Sequence, residues 1–147
     1  MAITTAMCSS FKQELLGGVH DLDSDTIKIA LIKASPSGTY GAATTNYSDV
    51  TGNSDEASGT GYSAGGQTLD TPAISIPSGS TTAIVDFADE VFSTLTLSAD
   101  GAIMYNASQS NKAIAVFNFG STISATNGDF TVVFPTADAS NAVIRIA

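Results

Sequence analysis

The sequence predicts a mainly β protein: an antiparallel β-sandwich, jelly-roll-like or Greek key, with one short N-terminal helix and a long Gly/Ser/Thr/Tyr-rich loop. Three observations predict it. Short apolar segments with period-two alternation recur along the chain, clusters of Gly, Pro, Asn and Asp separate them, and no long helical segment intervenes. A parallel α/β fold is excluded, because its crossovers need roughly a dozen residues and usually a helix. At 147 residues the chain fits one domain, residues 1–147. By size scaling it buries roughly 70% of the surface of its unfolded form, without requiring a disulfide or a metal.

From Cys8 to Leu16, the apolar residues Phe11, Leu15 and Leu16 fall at helical spacing. Ser9 or Ser10 is the candidate N-cap and Gly17-Gly18 the stop, which places the helix within residues 8–17. A helix this short is marginal alone, so its apolar stripe is expected to dock on a sheet or a neighbouring subunit. The acidic turn DLDSD, residues 21–25, hands directly to a strand from Ile27. Ile27, Ile29 and Leu31 share one face of that strand, and Lys28, Ala30 and Ile32 the other.

Residues 35–66 read as one long loop, with SPSGTYG and SGTGYSAGG as breaker clusters. Tyr40, Tyr47 and Tyr62 punctuate it. Two roles are open to them: contact residues of a binding loop, or packing of the loop onto its own sheet.

The later strands are short. Thr68 to Ile76 reads as an edge strand, broken by Pro72 and stopped by Pro77. A PSGS turn leads to Thr82 to Ala88, and Val91 to Leu97 follows. Ala99-Asp100-Gly101 is expected to make a D-G turn into Ala102 to Asn106. Lys112 to Phe119 alternates again, Asn127-Gly128 marks a further tight turn before Phe130, Val132 and Phe134, and Val143 to Ile146 closes the chain.

Composition narrows the function. With 14 acidic against 5 basic residues, the net charge of −9 repels phosphate backbones and anionic lipid, which argues against nucleic-acid and membrane-surface partners. No apolar run approaches the roughly 20 residues of a membrane span. The N-terminus shows no basic leader followed by a long apolar run, so the expectation is a soluble chain made in the cytoplasm. Only 13% of residues are charged. The surface is therefore largely small and neutral, which suits a subunit with large contacts better than a free enzyme.

No set of residues calls for a cofactor, a metal or a catalytic centre. Asp21, Asp23 and Asp25 begin like a calcium loop, but the sixth and twelfth positions are Thr26 and Ile32 where that loop needs Gly and Glu, so a solvated acidic turn is favoured. Asp86, Asp89 and Glu90 could pair for glycoside hydrolysis, yet the chain has no tryptophan to line a sugar cleft, and a sheet rim is favoured. One histidine and no G-x-S-x-G elbow argue against a hydrolytic triad, and SGTGYSAGG lacks the lysine of a phosphate loop. Cys8 is expected to be a buried bystander. His20 is expected to bond an aspartate or cap helix carbonyls, with pH sensing as the other role.

Taken in order, FKQELLGGVHDLDSDTIKIALIKA, GTGYSAGGQTL, VDFADEVFSTLTLSADGAIMYN, KAIAVFNFG and NGDFTVVF resemble a widespread family of small virion proteins of tailed bacteriophages, across Phe11 to Phe134. The resemblance implies a structural component of the phage particle with a β-sandwich core and no catalytic residues. Small size, the lack of catalytic groups and the acidic surface favour a capsid decoration, or cement, protein on the outside of the virion shell. Its partners would be the major capsid protein and further copies of itself, as a trimer or larger cluster. A tail or tail-tip subunit is the alternative, and a carbohydrate-binding module a second one. Partner contacts are expected from the apolar termini, Ile3, Phe11, Val143, Ile144 and Ile146, and from Tyr40, Tyr47 and Tyr62.

Overall fold

A computed structural model describes residues 2–147. Its elements in chain order are β1 (Ala2–Ile3), β2 (Ala6–Met7), α1 (Ser9–Leu16), β3 (Ile27–Lys33), β4 (Thr39–Tyr40), α2 (Ser48–Gly52), β5 (Gln67–Thr68), β6 (Ala73–Ser75), β7 (Ala83–Asp86), β8 (Glu90–Asn106), β9 (Lys112–Val132) and β10 (Ile144–Ile146). The protein is mainly β. An antiparallel five-stranded sheet runs β2-β9-β8-β3-β5, a three-stranded one β10-β7-β6, and β1 pairs with β4 in parallel.

The early elements form as their residues dictate. Helix α1 begins after Cys8, whose extended backbone makes it the N-cap, so Ser9 and Ser10 lie inside the first turn instead of capping it. At the other end Gly17 caps the helix and Gly18 takes a left-handed φ of 71°. The backbone N–H of Val19 then donates to the Glu14 carbonyl, closing orphan helix ends. Phe11 is fully buried and Leu15 half-buried, but Leu16 is 92% exposed and is not part of the docked stripe. Strand β3 is flanked by β8 and β5, and both of its faces are covered: Ile27, Ile29 and Leu31 on one, Ala30 and Ile32 on the other.

The expected succession of short strands gives way to one long hairpin. Segments 91–97 and 102–106 are one strand, β8, and segments 112–119 and 130–132 belong to β9. Asp100-Gly101 and Asn127-Gly128 are therefore not turns; they sit where the β8–β9 register slips. Asn127 does take the left-handed backbone that a tight turn would use, whereas Gly101 serves a close backbone approach. At Gly101 the backbone passes so near the Phe117 carbonyl that a Cβ has no room, and Ile3 packs over the same spot. Asp100 holds its bulge by accepting from the Ser35 N–H at 2.8 Å and from the Thr122 hydroxyl. Asn127, at φ 49°, donates its N–H to Thr96 Oγ1 at 2.8 Å.

The true hairpin turn lies at residues 107–111. Asn106 Oδ1 accepts from the Ser108 and Gln109 N–H groups at 3.0 and 3.2 Å, and Ser110 and Asn111 adopt left-handed φ values of 54° and 60°. The expected edge strand 68–76 divides at Pro72: β5 is the edge of the five-stranded sheet and β6 the edge of the three-stranded one. The C-terminal strand forms as expected, antiparallel to β7. Buried apolar side chains make one continuous cluster reaching from Ile3 and Phe11 through β3, β8 and β9 to Val85 and Ile144.

Candidate assembly surface

The segment 35–66 is ordered by its own side chains. The hydroxyl of Tyr40 donates to Asp55 Oδ2 at 2.6 Å, and those of Tyr47 and Tyr62 donate to the two Glu56 carboxylate oxygens at 2.6 and 2.9 Å. All three tyrosines point into the chain. Tyr47 stacks on Tyr105 with centroids 4.5 Å apart, and the Tyr62 hydroxyl also accepts from the Leu31 N–H in β3. The self-packing role is the one that the structure takes, and the contact role expected as the alternative is corrected.

Asp55 is the hub of this segment. Fully buried, it accepts from the Ser37 and Gly38 N–H groups at 2.9 and 2.7 Å, from the hydroxyls of Ser37 and Tyr40, and pairs with Lys33 Nζ at 3.0 Å. Burial is the strongest influence on its pKa and pushes it up. The opposing bonds from Tyr40, Ser37, Gly38 and Lys33 together outweigh burial, and hold the carboxyl far below the usual carboxylate range. Conversely, burial first and the adjacent Asp55 next raise Tyr40 to about 12. Sequence reading missed Asp55 and Glu56; the signal available was an adjacent carboxylate pair among three tyrosines.

His20 is buried and bonds neither an aspartate nor helix carbonyls: its partners are Glu14 Oε2 at 2.8 Å and Asn106 Nδ2 at 3.0 Å. Asn106 Oδ1 is occupied by two backbone N–H groups, so its amide nitrogen must donate, to Asp25 Oδ2 and to His20 Nδ1. Nδ1 of His20 is therefore an acceptor, and Nε2 carries the proton given to Glu14. This chain ties α1, the acidic turn and the hairpin end together. The carboxylates of the acidic turn are used locally: Asp21 accepts from Asp23 N and Ser24 Oγ, and Asp25 from Asp21 N. Among the described residues no three metal-ligating side chains cluster. Of the carboxylates 86, 89 and 90, Asp89 accepts from the Phe134 N–H at 2.8 Å, and Glu90 is buried, which together with nearby Asp70 raises its pKa.

Cys8 is fully buried, with its thiol against the Gly41 carbonyl at 3.8 Å. Burial first, then the Asp49 and Glu14 charges, push the thiol to about 11. A chromogenic disulfide reagent at pH 8 is expected to leave the native protein unlabelled and to label one thiol per chain in urea; rapid labelling of the native protein would contradict the packing.

The expected contact residues are mostly interior. Phe11, Tyr40 and Ile144 are buried, Ile3 packs on Gly101, Val143 is half-buried, and Ile146 alone of the set is open, at 52% exposure. Buried side chains cannot also form a partner surface, so Phe11, Tyr40 and Ile144 are corrected to core residues.

Two surfaces remain available. The first is the outer edge of β9. Its neighbours are β8 on one side and, on the other, residues Thr45 and Asn46 at Lys112 and Ala113 and β2 at Ala115 and Val116. Beyond that, the Asn118 N–H is taken by Thr5 Oγ1 and the Gly120 N–H by Asn118 Oδ1. From Ser121 to Thr126 no third strand pairs with β9 among the described residues, and all these residues but Ala125 are exposed. An open, mainly apolar groove of about 420 Å³ flanks the edge, lined by Phe119, Ile123, Ala125, Phe130 and Val133, with Asp129 at its far end along the strand. Residues 113–128 contain no Asp, Glu, Lys or Arg. Sequence reading missed this edge because the stretch was divided at an expected turn.

The second is a groove of about 400 Å³ between α1 and the three-stranded sheet, lined by Leu15, Leu22, Ile74, Val85, Ile144 and Ile146. Ile74 and Ile146 are about half-exposed, and Ile76 is open two residues further on. Both surfaces are built to take an apolar strand or face rather than a small polar substrate. No family model, curated protein or solved structure matches the chain.

Proposed function

We propose that the chain is a non-enzymatic structural subunit of a bacteriophage particle, a capsid decoration protein that sits on the outer shell and braces the major capsid subunits. The observation that carries this reading is the uncharged, unpaired β9 edge on a chain of net charge −9. Free proteins normally blunt such an edge with charge, proline or a covering segment. A subunit whose edge is covered after assembly has no need to. The aliphatic groove at Ile74 and Ile146 supplies a second face for the shell. A protein that binds only the assembled shell stabilises it by mass action, in proportion to the free energy of its binding.

The competing tail reading draws on the same open edges, since subunits joined head to tail build rings and helical stacks. The sugar-binding alternative needed exposed tyrosines in residues 35–66, and Tyr40, Tyr47 and Tyr62 face carboxylates instead.

Particles lacking the protein are expected to release DNA at lower temperature, and more readily at low salt, than complete ones. Equal resistance would end the decoration reading, and antibody label on the tail would replace it with the tail reading.

A further inference from the structure

We propose that β9 pairs with β9 of a second copy, antiparallel across a two-fold axis, joining two five-stranded sheets edge to edge. The inference deepens the assembly reading above and rests on it. The paired stretch is Ser121–Ala125, within the part of the edge that no third strand pairs with among the described residues. With the axis through Ile123, Ile123 faces the second copy's Ile123, Thr122 its Ser124, and Ser121 its Ala125. Outward peptide groups that no third strand pairs among the described residues then close a ladder, as in strand addition generally.

Charge selects a second copy as the occupant. Two acidic chains repel unless their meeting strips carry no charge, and residues 113–128 are the long charge-free stretch that also lies on an open edge. The nearest charge along the strand is Asp129. In this register the two Asp129 residues stand twelve residue rises apart, about 40 Å at ~3.3 Å each. Asp100 lies one strand inward, bonded to Thr122 and Ser35, so the two Asp100 carboxylates are three strand spacings apart, about 14 Å. Both separations exceed the screening length of about 8 Å at physiological salt. The two-fold axis is perpendicular to the joined sheet, so both Ile123 side chains fall on the groove face and cover its apolar lining.

The test is the mass of the purified chain in solution by light scattering, for the native sequence and for Ile123→Lys, with hydrogen exchange on the native protein. Ile123 is exposed, so the substitution is expected to leave the melting curve unchanged. It also makes the chain less acidic, so any loss of association reports the edge and not general repulsion. The expected result is a concentration-dependent native dimer, self-association weakened roughly a hundredfold or more in Ile123→Lys, and amide exchange that slows with concentration within residues 121–125. A native monomer at every concentration, a native trimer, an undiminished dimer of Ile123→Lys, or protection confined to another segment would each overturn the proposal. Binding of Ile123→Lys to particles separates the two readings: a monomer that still decorates particles leaves the virion reading standing. A native dimer absent from particles removes the virion reading and leaves the pairing.

Discussion

Asp55→Ala is expected to destabilise the protein by about 3 kcal/mol or more, because several hydrogen bonds to one buried charged group, each worth roughly 1.5–3 kcal/mol, are lost together. The loss has a structural origin. Five donor groups converge on this fully buried carboxylate: the Ser37 and Gly38 amides, the Ser37 and Tyr40 hydroxyls and the Lys33 ammonium. Without it, the two amides and two hydroxyls must find water or other partners, whereas Lys33 is 38% exposed and keeps the Ser54 carbonyl at 2.8 Å. The backbone of residue 55 also holds the segment to β3, because the Lys33 N–H donates to its carbonyl at 2.9 Å. The substitution leaves that bond in place, so the deficit isolates the side chain.

The pH dependence carries the same signature. A carboxyl held below its unfolded value of about 3.9 contributes stability that is complete above that pH and is lost as pH falls toward the folded value. Native stability is therefore expected to drop below about pH 4, and Asp55→Ala to show a flatter fall there. Some slope remains in the variant, because Glu14 is also held low. Burial, its largest influence, opposes this, but bonds from His20 and Lys112 prevail; Asp25 is lowered first by Asn106 and then by the Asp21 N–H. Urea denaturation of both proteins between pH 2 and 7 measures both effects. A deficit under about 1 kcal/mol at pH 7, or parallel acid limbs, would show that the hub is dispensable.

Gly66→Ala is expected to cost about 3 kcal/mol or more, from strain and overpacking combined. Gly66 has φ 70°, and a Cβ there would run into the Ile29 carbonyl and stand 2.6 Å from the Ile29 carbonyl carbon and 2.7 Å from Ala30 Cα. Those are backbone atoms of β3, a strand paired on both sides, and cannot swing aside. The close approach brings β5 beside β3, where Leu69 N–H donates to the Ile27 carbonyl at 2.8 Å. Gly79 supplies the control, since it has φ 75° with nothing within 4 Å of its would-be Cβ. Gly79→Ala carries only the left-handed penalty, about 1–2 kcal/mol. Melting curves of the two variants separate strain from clash, and equal shifts would refute the close packing at Gly66.

Where structure depends on neighbours in the chain, the sequence was legible. The helix at residues 9–16, the strand from Ile27, the glycines of SGTGYSAGG as turn formers and the terminal strand all follow from period, capping and φ preference. Asp100-Gly101 and Asn127-Gly128 misled because glycine and Asn serve irregular pairing as well as turns: Asn127 is left-handed at a register slip and Gly101 makes room for the Phe117 carbonyl, and only the partner strand reveals either. Tyr40, Tyr47 and Tyr62 could be read as outward or inward, and only the carboxylates of Asp55 and Glu56, brought under them by the fold of residues 35–66, decide for inward.

By itself the sequence determined the class of the protein: mainly β, acidic, sparsely charged, with a helix near the N-terminus and strongly patterned apolar strands. These are additive properties of residues and short windows. The short elements β4 and α2 within the expected loop 35–66 were not legible. The tertiary structure alone decided that β8 and β9 are continuous, that expected contact residues such as Phe11 and Ile144 lie in the core, and that one uncharged edge stays open. Each of those depends on which segments, far apart in the chain, reach each other first and most completely, and a local pattern carries no record of the partner it will meet.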